Sequence, residues 1–363
     1  MTLPPKRRKK ARNSRYTKSK KRVVGIFKLL ILSFFCVLTA LLVLTGFAFH
    51  KFIRSPFASS VNTSGGSLSF TEPFSLSFVV LSDIEESSSK IERLALVVVN
   101  PLDQTLSVFD VAPNLIVTYP QNLGEGEINK VYALGQLVEE DKGVDFVNRA
   151  LYKLFAKKPD KYIVIDAEAY SSVLESLEID KLSKLSNIAK LKSALKYKDI
   201  LLTVYGKAKT DLSSVEILGF LKWFRGLSKD FISYHAVNTT EVNVLSGLDL
   251  ILSPIFSNNL IIDEGYRVQI LNGSGIFGVG ALVSRNLENL GLSVVSVGNA
   301  TQIYDKSIIV SDINPFTSSL SVVANELSIE GTQRIVEFPN SVAENAGNAD
   351  ITIIIGVDWG SRL

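Results

Sequence analysis

Three glycines, Gly273-x-Gly275-x-x-Gly278, are the residues whose type and spacing most directly suggest chemistry in this chain. They stand between an apolar run (Val268, Ile270, Leu271) and a helical pattern. That arrangement can cradle a dinucleotide pyrophosphate on a helix N-terminus. Such a site also needs an Asp or Glu at the end of the next strand to bind the ribose hydroxyls. Here residues 292–297 run out into Gly298, Asn299 and Ala300, with no acid. Roughly 100 residues remain from the motif's strand to Leu363, too few for a doubly wound dinucleotide domain. The glycines are therefore read as a strand-to-helix turn, with Asn272, Gly273, Gly275 and Gly278 as the only ligand contact the region offers. The helix it opens should turn Ala281, Leu282, Leu287 and Leu290 to a core.

Other reactive types are sparse. Asp166 and Glu168, two apart, can do acid–base work, but at the end of an apolar run such a pair serves to cap the following helix. His235 has no nucleophile signature nearby. Trp223 and Trp359 read as core aromatics. The two histidines (His50, His235) and the single Cys36 cannot build a His/Cys metal site.

The glycine segment does match another pattern. Asn272-Gly273-Ser274-Gly275-x-x-Gly278, a helix, then Leu-Gly-Leu-Ser-Val-Val-Ser-Val-Gly-Asn-Ala at 290–300 resembles the LytR C-terminal domain of bacterial envelope proteins. The run 349–359, ending Gly356-Val357-Asp358-Trp359, resembles that domain's closing strand. The resemblance covers about 265–360 and implies a small α/β module on extracytoplasmic, membrane-anchored proteins, with no catalytic residues assigned to it.

The opposite end points to a membrane independently. Residues 1–22 carry 11 lysines and arginines and no acid, and residues 29–49 then give 21 positions without a charge. About 20 apolar residues at a rise of 1.5 Å cross a hydrocarbon core, and a helix satisfies its own backbone there. The length of the apolar run and its bulky, basic exit at Phe49-His50-Lys51 favour an uncleaved anchor over a signal peptide. The basic block sets 1–22 on the cytoplasmic side. Without those 11 cations, the rest of the chain has 28 basic and 36 acidic residues, a net of −8. An acidic ectodomain argues against nucleic-acid binding.

These features must be positioned by alternating elements. Residues 51–70 read as a Ser/Gly-rich spacer. Strands are expected over 75–81, 94–99, 106–111, 162–165, 200–205 and 231–237. Helices are expected over 128–138, 144–155, 167–177, 181–196 and 212–227, the last opened by Asp211. The alternation implies an α/β domain over 71–255, followed by a smaller βαβ-containing one over 262–363.

The first domain also resembles a known family, unevenly, over about 75–250. Glu92 to Asn100-Pro101, residues 106–120, Glu127-Ile128-Asn129-Lys130-Val131-Tyr132-Ala133-Leu134-Gly135 and Lys161-Tyr162 to Asp166 follow the order of the LytR-CpsA-Psr domain. Members of that family transfer glycopolymers from a polyprenyl-pyrophosphate carrier to peptidoglycan, gripping the pyrophosphate with arginines and an aspartate-held magnesium. The departures fall on that chemistry. Pro113 and Asn114 replace the Arg-Asp pair of S-I-P-R-D, Glu92 the early aspartate, and Glu127 the lysine of K-I-N. No arginine occurs between Leu174 and Asp211, where the family has its second cluster. Arginine's fork grips pyrophosphate where lysine acts as a point charge, so the loss removes the means of binding it.

The expectation is a membrane-anchored envelope protein with one transmembrane helix (23–50), two α/β ectodomains and no catalytic, metal or cofactor residues. It would bind or scaffold, with membrane lipid, wall polymer, lipid-linked glycan or another envelope protein as partners and no nucleic acid. The alternative is an active glycopolymer transferase with rearranged cations. That enzyme would use magnesium with Lys130, Lys142 or Lys153, or with Arg93, Arg149 or Arg225 converging in one cleft.

Overall fold

A computed structural model describes residues 68–176, 206–239, 242–311, 313, 317–327, 329 and 349–360. The chain divides into Met1–Ser55 and Pro56–Leu363. The first unit, with the basic tail and the expected membrane helix, lies outside the described residues, as do most of the spacer, the helix expected over 181–196 and the strand expected over 200–205. Among the described residues no helix is long and apolar enough to cross a membrane.

The first domain is built on apolar, β-branched runs that are buried on both faces. Strands β1 (Phe74–Leu81), β2 (Ile91–Asn100) and β3 (Thr105–Val111) form an antiparallel meander. Asn100 closes the β2–β3 turn, its Oδ1 accepting from the backbone of Leu102 (3.1 Å) and Asp103 (3.2 Å). A small hairpin, β4 (Ile116–Thr118) and β5 (Glu125–Glu127), then leads into helices α1 (Val131–Val138) and α2 (Gly143–Phe155). Next come β6 (Lys161–Asp166), α3 (Ala167–Ser176), β7 (Ala208–Thr210), α4 (Ser214–Gly226) and β8 (Ile232–Val237). The sheet order is β7-β6-β1-β2-β3-β8. Because β6 is parallel to β1 and β8 to β3, the carboxyl ends of β1, β3, β6 and β8 share one edge.

Two details differ from the sequence reading. Helix α4 is opened by Ser213, which makes a capping box with Glu216, and not by Asp211. Asp211 instead accepts from the backbone N–H of Tyr162 at 2.9 Å, tying the turn to β6. The sequence pattern also left 242–256 unassigned. It forms helix α5 (Val242–Phe256), whose Leu248 and Leu252 join Leu96, Phe109 and Leu151 in the core on one face of the sheet. On the other face Leu76, Ala95, Val99 and Leu106 meet Phe224 and Leu227 of α4 and its exit.

A short helix, α6 (Asn259–Glu264), leads to the second domain: β9 (Arg267–Asn272), α7 (Val279–Asn289), β10 (Ser293–Asn299), β11 (Ile308–Ser311), α8 (Ser318–Glu326), β12 (Ile351–Ile355) and α9 (Val357–Gly360). The order is β10-β9-β12-β11, with β9 parallel to both neighbours, so β9-α7-β10 is the expected βαβ unit. Helix α7 sits rotated from the expected face. Ala281 is exposed, and Val279, Leu282, Val283 and Leu287 are the buried apolar positions. The rotation follows from a second buried face, on which Asn286 and Asn289 meet the first domain.

Helix α2 is the element common to both domains. Its Phe146, Val147, Ala150, Leu151, Leu154 and Phe155 lie in the first core, while Tyr152 and Ala156 belong to the second. Tyr152 meets Trp359 edge to face at 6.0 Å, so the closing Gly-x-Asp-Trp of the chain is used to seat one domain on the other.

Candidate functional site

The positions that would carry transferase chemistry gather at the carboxyl edge of the first sheet. The Ala112-Pro113-Asn114 turn is spent on its own backbone. Leu115 N–H donates to Ala112 O (2.9 Å) and Asn129 N–H to Pro113 O (3.1 Å). Glu92 is exposed. Glu127 pairs with Lys130 at 3.2 Å, cancelling the cation beside it. Tyr132 and Gly135 are packing residues. A Cβ at Gly135 would stand 2.7 Å from Lys142 O and one at Gly143 would stand 2.7 Å from the Tyr132 ring, so α1 and α2 approach only because both are glycine. Asn129 Oδ1 is buried with no hydrogen-bond partner among the described residues.

The three arginines do not converge. Arg93 stands on β2 on the sheet face shared with Ala95 and Asp110. There Tyr234 donates to Asp110, and burial, then that hydrogen bond and the carboxylate's charge, push the Tyr234 phenol upward. Arg149 rides on α2 over the opposite face, held by Asp145 at 2.9 Å. Arg225 is exposed in the last turn of α4. Asp166 accepts from Glu168 N–H at 2.8 Å, as a cap, and Glu168 pairs with Lys207. His235 stacks on Phe109 at 4.9 Å, and burial lowers its pKa. Among the described residues no group of three His, Cys, Asp or Glu is placed to hold a metal.

One cation does face a cavity. A cleft of about 220 Å³ is walled by Ile116, Val117 and Thr118 of β4, Glu125 of β5, Ala150, Lys153 and Leu154 of α2, and Leu245 of α5. Lys130 and Lys142 are each beside a glutamate, but Lys153 donates only to the backbone carbonyl of Tyr119, at 3.3 Å. Burial, assisted by the charge of Arg149, lowers its pKa. Among the described residues no carboxylate pairs with Lys153, and the cleft is mainly apolar, with Thr118 hydrogen-bonded to Glu125 on its β4–β5 wall. A half-buried ammonium there suits a ligand with one anionic group and a short apolar body. Sequence alone exposed the residue but not its cleft, because Leu245 lies on the unforeseen helix.

In the second domain the glycine turn is closed upon itself. Asn272 Nδ2 donates to Ile276 O (2.8 Å), its Oδ1 accepts from Ser274 Oγ (2.7 Å), and Ser274 Oγ accepts from Ile276 N–H (3.1 Å). Gly275 and Gly278 have positive φ, +73° and +81°, which only glycine adopts freely. Gly273 is needed for space: a Cβ there would stand 2.8 Å from the Tyr304 ring.

Residues 265–359 match the family model described as LytR cell envelope-related transcriptional attenuator. The second domain is thus of the LytR C-terminal type found on cell-envelope proteins. No curated protein matches the chain. Among solved structures, protein gbs0355 from Streptococcus agalactiae is similar at 13% identity and a TM-score of 0.43, over 53% of this chain and 91% of its own. TagV from B. subtilis is similar at 13% identity and a TM-score of 0.39, over 49% of this chain and 94% of its own. The LytR-CPS2A-psr family protein YwtF (TagT), solved with octaprenyl pyrophosphate lipid, is similar at 12% identity and a TM-score of 0.36, over 53% of this chain and 95% of its own. At these scores the likeness assigns neither a fold nor a site to the first domain.

Proposed function

We propose that this chain is a membrane-tethered, extracytoplasmic protein of the bacterial cell envelope that binds a ligand and does not transfer one. The basic tail followed by 21 uncharged residues supports an anchor with its N-terminus in the cytoplasm. The LytR C-terminal domain supports the envelope. The observation that carries the binding reading is the dispersal of the cations. Arg93 and Arg149 lie on opposite faces of the sheet, Arg149 is held by Asp145, and among the described residues Lys153 is the cation that lines this cleft. Transfer from a pyrophosphate needs several convergent donors, and one lysine supplies charge without the positioning. One lysine in a mainly apolar cleft does suffice to hold a single anionic head, such as the carboxylate or monophosphate of a lipid.

The test offers the full chain in detergent a short amphiphilic anion, hexanoate, and separately polyprenyl-pyrophosphate glycan with magnesium. The expected result is saturable hexanoate binding that Lys153→Glu abolishes, with no turnover of the glycan. Magnesium-dependent turnover lost in Lys153→Ala would show an enzyme with relocated cations and overturn the proposal.

A further inference from the structure

The cleft has two helical walls, α2 and α5, and both are held by one side chain from the other domain. Arg285 of α7 forms a two-pronged ion pair with Asp249 of α5, Nε to Oδ2 at 2.8 Å and Nη2 to Oδ1 at 2.9 Å. The same guanidinium donates to the carbonyls of Lys153 (3.4 Å) and Leu154 (3.3 Å) at the end of α2. Those carbonyls are among the last of a helix, which have no partner within it. A cation there also suits the helix dipole. The next residue of α7, Asn286, donates to Ala156 O at 2.8 Å, and Asn289, one turn beyond Arg285, donates to Asp249 at 3.1 Å. Helix α2 thus ends on a cap supplied from another domain, after an Ala156 in the left-handed region (φ +49°) with no glycine to ease it.

The geometry matters because of what lies beside each contact. Asp249 is one turn from Leu245 on α5, and Lys153 and Leu154 supply both the carbonyls that Arg285 holds and side chains that line the cleft. The planar fork fixes two directions at once, which an ammonium cannot do. We infer that Arg285 is a positioning residue for the cleft: the LytR C-terminal domain sets the spacing of α2 and α5 and so the cleft's affinity for an amphiphilic anion. This inference rests on reading the cleft as the binding site.

The experiment uses the full chain in detergent and two readouts, hexanoate affinity by saturation-transfer NMR and amide hydrogen exchange. Arg285→Ala is expected to weaken hexanoate binding about tenfold, and Arg285→Lys nearly as much, since the charge returns without the fork. Asp249→Asn, which cuts only the α5 arm, is expected to fall between these and the parent. Arg267→Ala, which breaks a surface ion pair with Asp350 in the same domain, is expected to leave affinity unchanged. In Arg285→Ala the amides of 150–156 and 245–252 should exchange faster while those of β12 keep their protection, which separates a lost clamp from an unfolded domain. Unchanged exchange at both walls would overturn the inference, and so would unchanged affinity in a parent that binds. A parent that never binds hexanoate sinks the binding reading, and the exchange result then decides the clamp alone.

Discussion

At the residue scale the most consequential charges are those with the least water. Lys161 and Glu216 form an ion pair with side chains only 6% and 7% exposed. Burial alone would raise the Glu216 pKa, but backbone N–H groups of Leu68 and Ser213, the Ser213 hydroxyl and Lys161 together hold it below its ordinary 4.5. A carboxylate with a depressed folded pKa contributes stability above the unfolded value and loses it as pH falls through the folded one. Glu216→Gln should therefore destabilise by about 3 kcal/mol at neutral pH, as expected when one partner of a buried pair is removed. The gap to the parent should close below pH 4.5, measured by denaturant unfolding across pH. Lys153 works in the other direction. Its pKa is lowered from 10.5 by burial and then by Arg149, so anion binding needs the protonated amine and should weaken on the alkaline side before a free lysine would lose its charge. A flat binding profile up to pH 10.5 would remove Lys153 from the site. Neither behaviour could be seen in the sequence. Glu127 and Glu139, three residues before Lys130 and Lys142, are visible there as partners for those two, but the burial that sets Lys153 apart is not.

At the scale of elements, much was legible and the omissions have physical causes. Strands buried on both faces announce themselves as unbroken runs such as Leu94 to Val99, and the glycine turn as a change of period from strand to helix. Helix α5 was not legible because its apolar residues run nearly all round, as a helix between two packed surfaces should. Ala281 was misplaced for a related cause: α7 buries asparagines on a second face, and periodicity counts only apolar residues. The turn carries its own prediction. Gly275→Ala meets no atom closer than Ile303 at 3.6 Å, so its cost is the positive φ, about 1 kcal/mol. A Cβ on Gly356 would collide with the Lys306 carbonyl carbon and stand 2.7 Å from its oxygen, and both are backbone and cannot rotate away. Gly356→Ala should be the more damaging of the two by thermal unfolding, and equal losses would show that the segment entering β11 at Lys306 yields more easily than this packing allows.

The two folded domains meet at α2, and Tyr152 tests whether their cores fold as one. Its ring lies in the second core against Trp359, on a helix that fills the first. Truncation to alanine removes a buried aromatic and should cost about 3–5 kcal/mol. The loss should appear as one shifted transition, since neither core is complete without the helix. Tyr152→Phe separates packing from polarity: the hydroxyl is buried with no partner among the described residues, so removing it should leave stability unchanged or raise it. Two well-separated unfolding steps in the parent would mean that α2 belongs to one domain alone. The charge pattern sets the last expectation at this scale. A stretch with 12 cations over residues 1–28 and a remainder of net −9 beyond residue 49 are segregated on either side of 21 uncharged residues, and on the proposed topology the basic side is the cytoplasmic one. Protease added to intact cells should therefore degrade everything beyond about residue 55 while sparing an epitope tag placed before residue 23. Protection of the Trp359 end under those conditions would place both folded domains inside the cell and leave the Lys153 cleft facing no envelope ligand at all.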